Sequence, residues 1–242
     1  MHAWPHPRFI AHRGGGSLAP ENTLAALEIA VRHGYRAVEV DARLSADGTP
    51  FLIHDDTLDR TTDGAGLVSL TDDARLRSLD AGRSYGKQFA GEPLPTLVDA
   101  IRRCLELGLW ANIEIKADAG DEARAGEAVA RVALDAWQSL PMLLSSFSPE
   151  ALEGVRRAAP SLPRALLSRK VTAVGLAEAL QLGCVAIHSR AGNTRRDDIA
   201  VAHAAGLAIA CYTVNDPVEA QRLLAAGVDA IFTDRLDLIP GG

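Results

Sequence analysis

The sequence predicts a single α/β domain of the TIM-like (β/α)8 barrel class. Three observations carry that reading. Short apolar runs recur eight times along 242 residues, helix-length amphipathic segments separate them, and glycines mark the junctions. Gly34 precedes Ala37-Val38-Glu39, Gly183 precedes Ala186-Ile187-His188, and Gly227 precedes Ala230-Ile231-Phe232; Gly108 and Gly206 introduce looser copies. Glycine just past a helix accepts the left-handed conformation that ends it. The short apolar run that follows reads as a strand buried on both faces, as a parallel sheet requires.

Taken in order, strands are expected near 8–12, 37–41, 111–116, 142–146, 164–168, 184–188, 208–213 and 229–233. Helices fit between them near 23–33, 96–107, 121–138, 149–158, 172–182, 196–205 and 216–226. A doubly wound open sheet is the competing arrangement, but no G-x-G-x-x-G follows the first strand, which weakens its dinucleotide-binding form. Residues 55–95 break the alternation. They are polar and glycine-rich with room for one short helix near 71–79, and they read as an insertion beside the site, within one domain spanning 1–242.

Composition narrows the function classes. Hydrophobic residues make up 48% and charged residues 23%, ordinary for a soluble domain with a sizeable core. The net charge of −6 offers no general attraction to nucleic acid or anionic lipid. No uncharged apolar run reaches the roughly 18 residues of a membrane span, so no stable membrane association is expected. Residues 1–7 lack the basic start and apolar core of a secretory signal, which points to the cytoplasm. Cys104, Cys184 and Cys211 form no C-x-x-C pair and read as core filler.

The chemistry lies where charges interrupt the strands. Phe9-Ile10-Ala11 runs into His12-Arg13, Ala37-Val38 into Glu39-Val40-Asp41, Asn112-Ile113 into Glu114-Ile115-Lys116, and Phe51-Leu52-Ile53 into His54. Burying an unpaired charge is costly, so such charges persist where something pairs with them. In the third run Glu114 and Lys116 share one face and Ile113 and Ile115 the other. The isoleucines suit the layer under the helices, so Glu114 and Lys116 point into the barrel near its C-terminal mouth, where such barrels carry their active sites.

Asp47-Gly48 between two strand-like runs signals a two-residue hairpin turn that extends the second strand. With these residues as the turn, Ala46 faces Thr49 and Asp41 faces His54, and Glu39 shares the face of Asp41. Glu39, Asp41 and Glu114 offer hard oxygen ligands and no sulfur, which suits one divalent cation such as Mg2+, Ca2+ or Mn2+. A buried salt-bridge network with Arg13 and Lys116 is the alternative use of the same charges. His12 and His54 flanking this site suit paired acid and base work, with Arg13 and Lys116 facing phosphate oxygens. Together these residues point to a hydrolytic phosphate site. Gly14-Gly15-Gly16 would permit close backbone approach to an anion. Asn22 reads as the cap of the helix after it. His188 ends its strand, either facing the mouth or packed structurally.

The motifs His12-Arg13-Gly14, Pro20-Glu21-Asn22-Thr23, Glu39-Val40-Asp41, Asp47-Gly48 with His54-Asp55, Leu94-Pro95-Thr96-Leu97, Glu114-Ile115-Lys116, Ser145-Ser146-Phe147, Tyr212-Thr213-Val214-Asn215 and Phe232-Thr233-Asp234 follow one another over nearly the whole chain. In that order they resemble the glycerophosphodiester phosphodiesterases, particularly small cytoplasmic bacterial members. The resemblance implies a TIM-like barrel with a modest insertion after the hairpin. It implies hydrolysis of small glycerophosphodiesters, such as glycerophosphocholine or glycerophosphoethanolamine, to sn-glycerol 3-phosphate and an alcohol. His12 and His54 match the acid/base pair, Glu39, Asp41 and Glu114 the metal ligands, and Arg13 and Lys116 the phosphate-facing cations. Position 212 is Tyr where many relatives carry Trp, which bears on substrate preference; Phe147 and Tyr212 are expected to line the glycerol or alcohol side, with core packing the equal alternative for Phe147. Attack by the substrate's own 2-hydroxyl and attack by water both remain open. A lysophospholipase D-like enzyme is the neighbouring alternative, and a non-catalytic phosphodiester-binding protein is the alternative of another class.

Overall fold

The computed structural model of the chain describes residues 6–136 and 141–242. In chain order the strands are β1 (Phe9–Ala11), β2 (Ala37–Leu44), β3 (Pro50–Leu52), β4 (Trp110–Ile115), β5 (Met142–Ser146), β6 (Arg164–Ser168), β7 (Ala186–Arg190), β8 (Ala208–Tyr212) and β9 (Ala230–Thr233). Each strand except β3 pairs in parallel with its neighbours, and β1 pairs with both β2 and β9. The ring therefore closes as an eight-stranded parallel barrel. Strand β3 lies outside it, antiparallel to β2.

The helices are α1 (Leu24–Arg32), α2 (Asp73–Arg77), α3 (Leu97–Leu107), α4 (Glu122–Ala136), α5 (Pro149–Ala158), α6 (Ala173–Gln181), α7 (Arg196–Ala204) and α8 (Pro217–Ala225). The last two residues of the helix expected over 121–138 lie outside the described residues. Local chemistry explains where most of the others begin. Thr23, Asp72, Thr96, Ser148, Thr172 and Asp216 each accept a backbone N–H of the first turn, and Pro149 and Pro217 occupy the first helical position. The glycines at the junctions, Gly34, Gly108, Gly183, Gly206 and Gly227, all have positive φ. Among the described residues no helix is long and apolar enough to cross a membrane.

Strand β7 starts two residues later than the apolar run suggested. The turn after α6 takes the Cys184 N–H to the Ala179 carbonyl at 2.8 Å, so the ladder begins only at Ala186. His188 consequently sits in the middle of β7, not at its end. The three cysteines are buried and free.

Outward-facing strand residues pack under the helices, Ile113 and Ile115 among them. Inward-facing residues plug the lower barrel: Ile10, Trp110, Leu143 and Phe232 are large, whereas Ala165, Ala186, Ala208, Ala210 and Ala230 are small. Ala37 on β2 is small as well, so large and small side chains interdigitate around the ring.

The hairpin differs from the expected register. Leu44 pairs with Pro50 and Ala42 with Leu52, one residue away from the ladder that would oppose Asp41 to His54. The turn has three residues, Ala46-Asp47-Gly48. Gly48 is left-handed (φ 84°), its N–H reaches the Ser45 carbonyl, and the Ser45 N–H reaches the Thr49 carbonyl. Asp41 therefore stands opposite Ile53, whose N–H it accepts at 3.1 Å. Strand β3 ends at Leu52, so His54 lies beyond the ladder and is not bound by its alternation.

Residues 55–95 carry helix α2 within the expected 71–79 span and are less polar in effect than in composition. Leu58, Val68, Leu76, Leu79, Ala81 and Leu94 pack with Phe51 and Ile53 into a small core of their own. Polar contacts fasten this segment to the rim: the Tyr85 hydroxyl donates to the Ser17 carbonyl at 2.5 Å, and Glu92 accepts the Ala25 N–H at 2.9 Å.

Helices α4 and α5 meet through glycine. A Cβ on Gly126 would lie 1.9 Å from the Ala151 carbonyl oxygen, and one on Gly154 would lie 2.2 Å from that of Ala123. Replacing a helical glycine by alanine ordinarily gains about 1 kcal/mol of helix propensity. Here the new methyl group meets backbone, which no rotamer can relieve, so the helices must separate. Gly126→Ala is expected to destabilise the protein by about 1–2 kcal/mol, lowering the thermal midpoint by roughly 2–8 °C. An unchanged or raised midpoint would contradict this packing.

Candidate active site

The register of β2 and β4 sets the charges side by side. Glu39 pairs with Asn112 and Asp41 with Glu114, all facing into the barrel. Lys116 follows at the end of β4 and faces the same way, as side-chain alternation requires. His12 and Arg13 follow β1, which is the neighbour of β2 on its other side. Ligand atoms of Glu39, Asp41 and Glu114 lie within 4.8 Å of one another, and all three residues are buried.

The loop after β1 is folded onto β2. Arg13 is left-handed (φ 52°), an uncommon state for a residue with a side chain. That conformation lets the Arg13 N–H donate to Glu39 Oε2 at 2.9 Å and the Gly14 N–H to the Glu39 carbonyl at 2.9 Å. The glycine triplet is not an anion cradle. The N–H groups of Gly15 and Gly16 bond back to the carbonyls of Arg13 and His12, and a Cβ on Gly16 would lie 2.4 Å from the Asp234 carbonyl oxygen. The triplet allows the loop to pack between α1 and the segment after β9.

Asn22 also departs from expectation. Thr23, not Asn22, caps α1. Asn22 instead brackets Asp41: its Nδ2 donates to Oδ2 at 2.8 Å, and its Oδ1 accepts the Asp41 N–H at 2.9 Å. Its left-handed backbone (φ 60°) aims the amide into the site. A side-chain oxygen just before a helix reads as a cap, and only the neighbouring Thr23, equally able to cap, hinted otherwise.

Three buried carboxylates of like sign cannot all ionise freely. Burial opposes ionisation of Asp41, yet Lys116, then His54 and Arg13, with the Asn22 hydrogen bond, hold it below the usual carboxylate range. Lys116 Nζ stands 3.3 Å from Asp41 Oδ1 and also contacts Glu114. Burial, and the Asp41 charge beside them, push Glu39 and Glu114 upward. Glu39 Oε1 is buried with no hydrogen-bond partner among the described residues. Hard oxygen donors, carboxylates resisting ionisation and an unused buried oxygen together fit a metal ion, which Glu39, Asp41 and Glu114 could hold.

Both histidines are oriented by carboxylates, His54 by its neighbour in the chain and His12 by a distant one. His12 Nδ1 lies 2.6 Å from Asp234 Oδ1, and Asn215 Nδ2 donates to the other Asp234 oxygen at 2.9 Å. His12 Nε2 is left facing Glu39, 3.8 Å from Oε2. Burial lowers the His12 pKa, but the Asp234 hydrogen bond and the Glu39 charge outweigh it and the net shift is upward. His54 Nδ1 pairs with Asp55 Oδ1 at 2.7 Å. Burial moves His54 downward, partly offset by Asp41 and Asp55.

Arg60 ties the two halves of the rim together. It donates to both Asp55 oxygens (2.6 and 3.0 Å) and to both Glu21 oxygens (2.7 and 2.8 Å). Glu21 in turn accepts from Arg13 Nη1 at 2.8 Å. One guanidinium thereby connects the residue that orients His54 with the residue that orients Arg13.

These side chains open on a cavity of about 250 Å3 at the barrel mouth, where His12, Arg13, Glu39, His54, Glu114 and Lys116 meet Phe147 and Tyr212. Phe147 is 45% exposed and meets Tyr212 edge to face at 5.9 Å, so it forms a wall rather than core. The Tyr212 hydroxyl donates to the Ser168 carbonyl at 2.9 Å. His188, fully buried, lies deeper in the same cavity beside Phe232.

A glycerophosphodiester phosphodiesterase of Caldanaerobacter subterraneus subsp. tengcongensis is 33% identical over 233 residues, covering 93% of each chain. Among solved structures, an Oleispira antarctica phosphodiesterase in complex with the product sn-glycerol-3-phosphate superposes with a TM-score of 0.91 at 37% identity, covering 95% of this chain and 93% of that one. A glycerophosphodiester phosphodiesterase from Agrobacterium tumefaciens gives a TM-score of 0.77 at 29% identity, covering 96% and 98%. The model of the glycerophosphoryl diester phosphodiesterase family matches residues 12–238. By this match, and by likeness over nearly its whole length, the chain belongs to the glycerophosphoryl diester phosphodiesterase family.

Proposed function

We propose that this chain is a metal-dependent hydrolase of small glycerophosphodiesters, releasing sn-glycerol 3-phosphate and an alcohol. The observation that carries the reading is the meeting, in one cavity, of a buried carboxylate cluster with an unused oxygen, two carboxylate-oriented histidines and two cations. The product named for the Oleispira antarctica relative supports glycerol 3-phosphate as the released phosphate ester.

Glu39, Asp41 and Glu114 would hold one divalent cation, Mg2+ or Ca2+, with Mn2+ also suited to the oxygen set. Bound there, it supplies charge stabilisation for the phosphoryl oxygens. Arg13 and Lys116 bind and orient the phosphodiester anion, Arg13 through a planar fork and Lys116 as a point charge. His12 and His54 divide the proton work. One imidazole accepts the proton of the nucleophile, and the other, as imidazolium, gives its proton to the leaving alcohol oxygen as the P–O bond breaks; with water as nucleophile this yields glycerol 3-phosphate at once, and with the substrate's 2-hydroxyl it yields a cyclic phosphate that a water molecule then opens. Asp234 and Asp55, each bound to an Nδ1, hold the rings so that the Nε2 atoms are the ones available for transfer. Phe147 and Tyr212 line the glycerol or alcohol side of the substrate.

Purified protein is expected to release glycerol 3-phosphate from glycerophosphocholine and glycerophosphoethanolamine. EDTA should abolish release, and Mg2+ or Ca2+ should restore it. Failure to release it with any of these cations, alongside turnover of lysolipid micelles, would instead favour the lysophospholipase D-like activity. Binding without turnover of either would leave a phosphodiester-binding protein.

His12→Ala and His54→Ala should each lower kcat by about 100- to 10,000-fold without shifting the thermal midpoint appreciably. A variant that kept near-normal kcat would remove that histidine from the proton-transfer pair. Arg60→Gln should lower kcat/KM by about 10- to 100-fold, because it frees both Asp55 and Glu21. Full activity would mean that the two orienting carboxylates hold their positions unaided.

A further inference from the structure

His188 is the residue that the reaction outlined above leaves unused. It projects inward from the middle of β7 and is 0% exposed, yet neither Nδ1 nor Nε2 has a hydrogen-bond partner among the described residues. Buried polar atoms are almost always paired, so two unpaired nitrogens on one ring call for a ligand. Asn112 on β4 is buried too; its Nδ2 pairs with Ser145 Oγ at 3.0 Å, and its Oδ1 has no partner among the described residues. Both residues line the same cavity as the histidine pair and the cations. Leu167 and Phe232 line the cavity with them.

The chemistry of this floor suits a neutral hydroxyl. Burial drives the His188 pKa down to about 3, so the ring is neutral and offers one N–H donor and one nitrogen acceptor. Asn112 Oδ1 adds an acceptor. The permanent cations that line the cavity are Arg13 and Lys116, and neither His188 nor Asn112 adds one. The phosphate belongs higher, with Arg13 and Lys116, and of the two ends of such a substrate the glycerol end is a neutral hydroxyl whereas choline and ethanolamine end in a cation, which His188 and Asn112 offer no charge to pair.

We infer that His188 and Asn112 form a hydroxyl-binding floor that holds the terminal hydroxyl of the glycerol moiety. This rests on the glycerophosphodiester reading above and deepens it. The site then recognises the glycerol half of the substrate by depth and leaves the alcohol half near the rim. A buried donor and acceptor reject an analogue that lacks the matching hydroxyl, because both are then left unpaired.

The test is direct binding by calorimetry in the presence of Mg2+. The probes are sn-glycerol 3-phosphate and 2-hydroxypropyl phosphate, which lacks only the terminal hydroxyl. Wild-type protein should bind the first at least about tenfold more tightly. His188→Leu, similar in bulk, should erase that preference by weakening glycerol 3-phosphate alone, and His188→Gln, which keeps a donor and an acceptor, should retain part of it. Equal wild-type affinities, no wild-type binding of glycerol 3-phosphate, or an intact preference in a folded His188→Leu protein would each overturn the inference. Should the leucine variant not fold, the wild-type pair decides. Failure of the hydrolytic reading shows separately, as no glycerol 3-phosphate release from glycerophosphocholine while the binding preference stands.

Discussion

Three carboxylates buried on two adjacent strands are the constraint around which the mouth of this barrel is organised. Removing an ionised carboxylate from water costs several kcal/mol unless charge and hydrogen bonds replace the solvent. Much of the local architecture supplies those replacements. Lys116 lies against Asp41 and Glu114, the left-handed turn at Arg13 turns a backbone N–H onto Glu39, and Asn22 clasps Asp41 with both ends of its amide. Arg13 is already shared with Glu21 and cannot neutralise the cluster alone. The surplus negative charge and the idle oxygen of Glu39 are what a divalent cation would satisfy.

Closing the ring matters to the same end. Because β1 lies between β2 and β9, the loop after β1 is flanked by Glu39 on one side and Asp234 on the other. A residue near the C-terminus thereby fixes a ring near the N-terminus, and Asn215 after β8 fixes that residue in turn. An open sheet would have left His12 with only one of these neighbours.

The sequence made the barrel legible because its units repeat: glycine, apolar strand and capped helix are each local signals. Alternation placed Glu114 and Lys116 on the inner face for the same reason. The hairpin register was not legible. Asp-Gly marks a turn of two residues or of three, and one residue reverses the face of everything beyond it. The expected Asp41–His54 pairing fails, and His54 still reaches the mouth only because the ladder stops before it. Asn22 reads as a cap and Asp234 only as part of a motif, because the partners that give them their roles, Asp41 and His12, are distant in the chain; Arg60 carries no local signal that joins Asp55 to Glu21. His188 was misplaced within its strand because the turn after α6 absorbs two apolar residues.

The two histidines stand on unequal foundations. His12 is anchored to the closed ring, whereas His54 belongs to an appendage with its own small core, joined to the rim by partly exposed polar contacts and one short antiparallel ladder. Contacts of that kind open at lower free energy than a barrel interior. Such an appendage is expected to open as a separate cooperative unit, its amides exchanging with solvent before those of the ring. As conditions grow harsher, one half of the proton machinery is lost while the barrel and its acidic cluster still stand, so activity fails before the fold does.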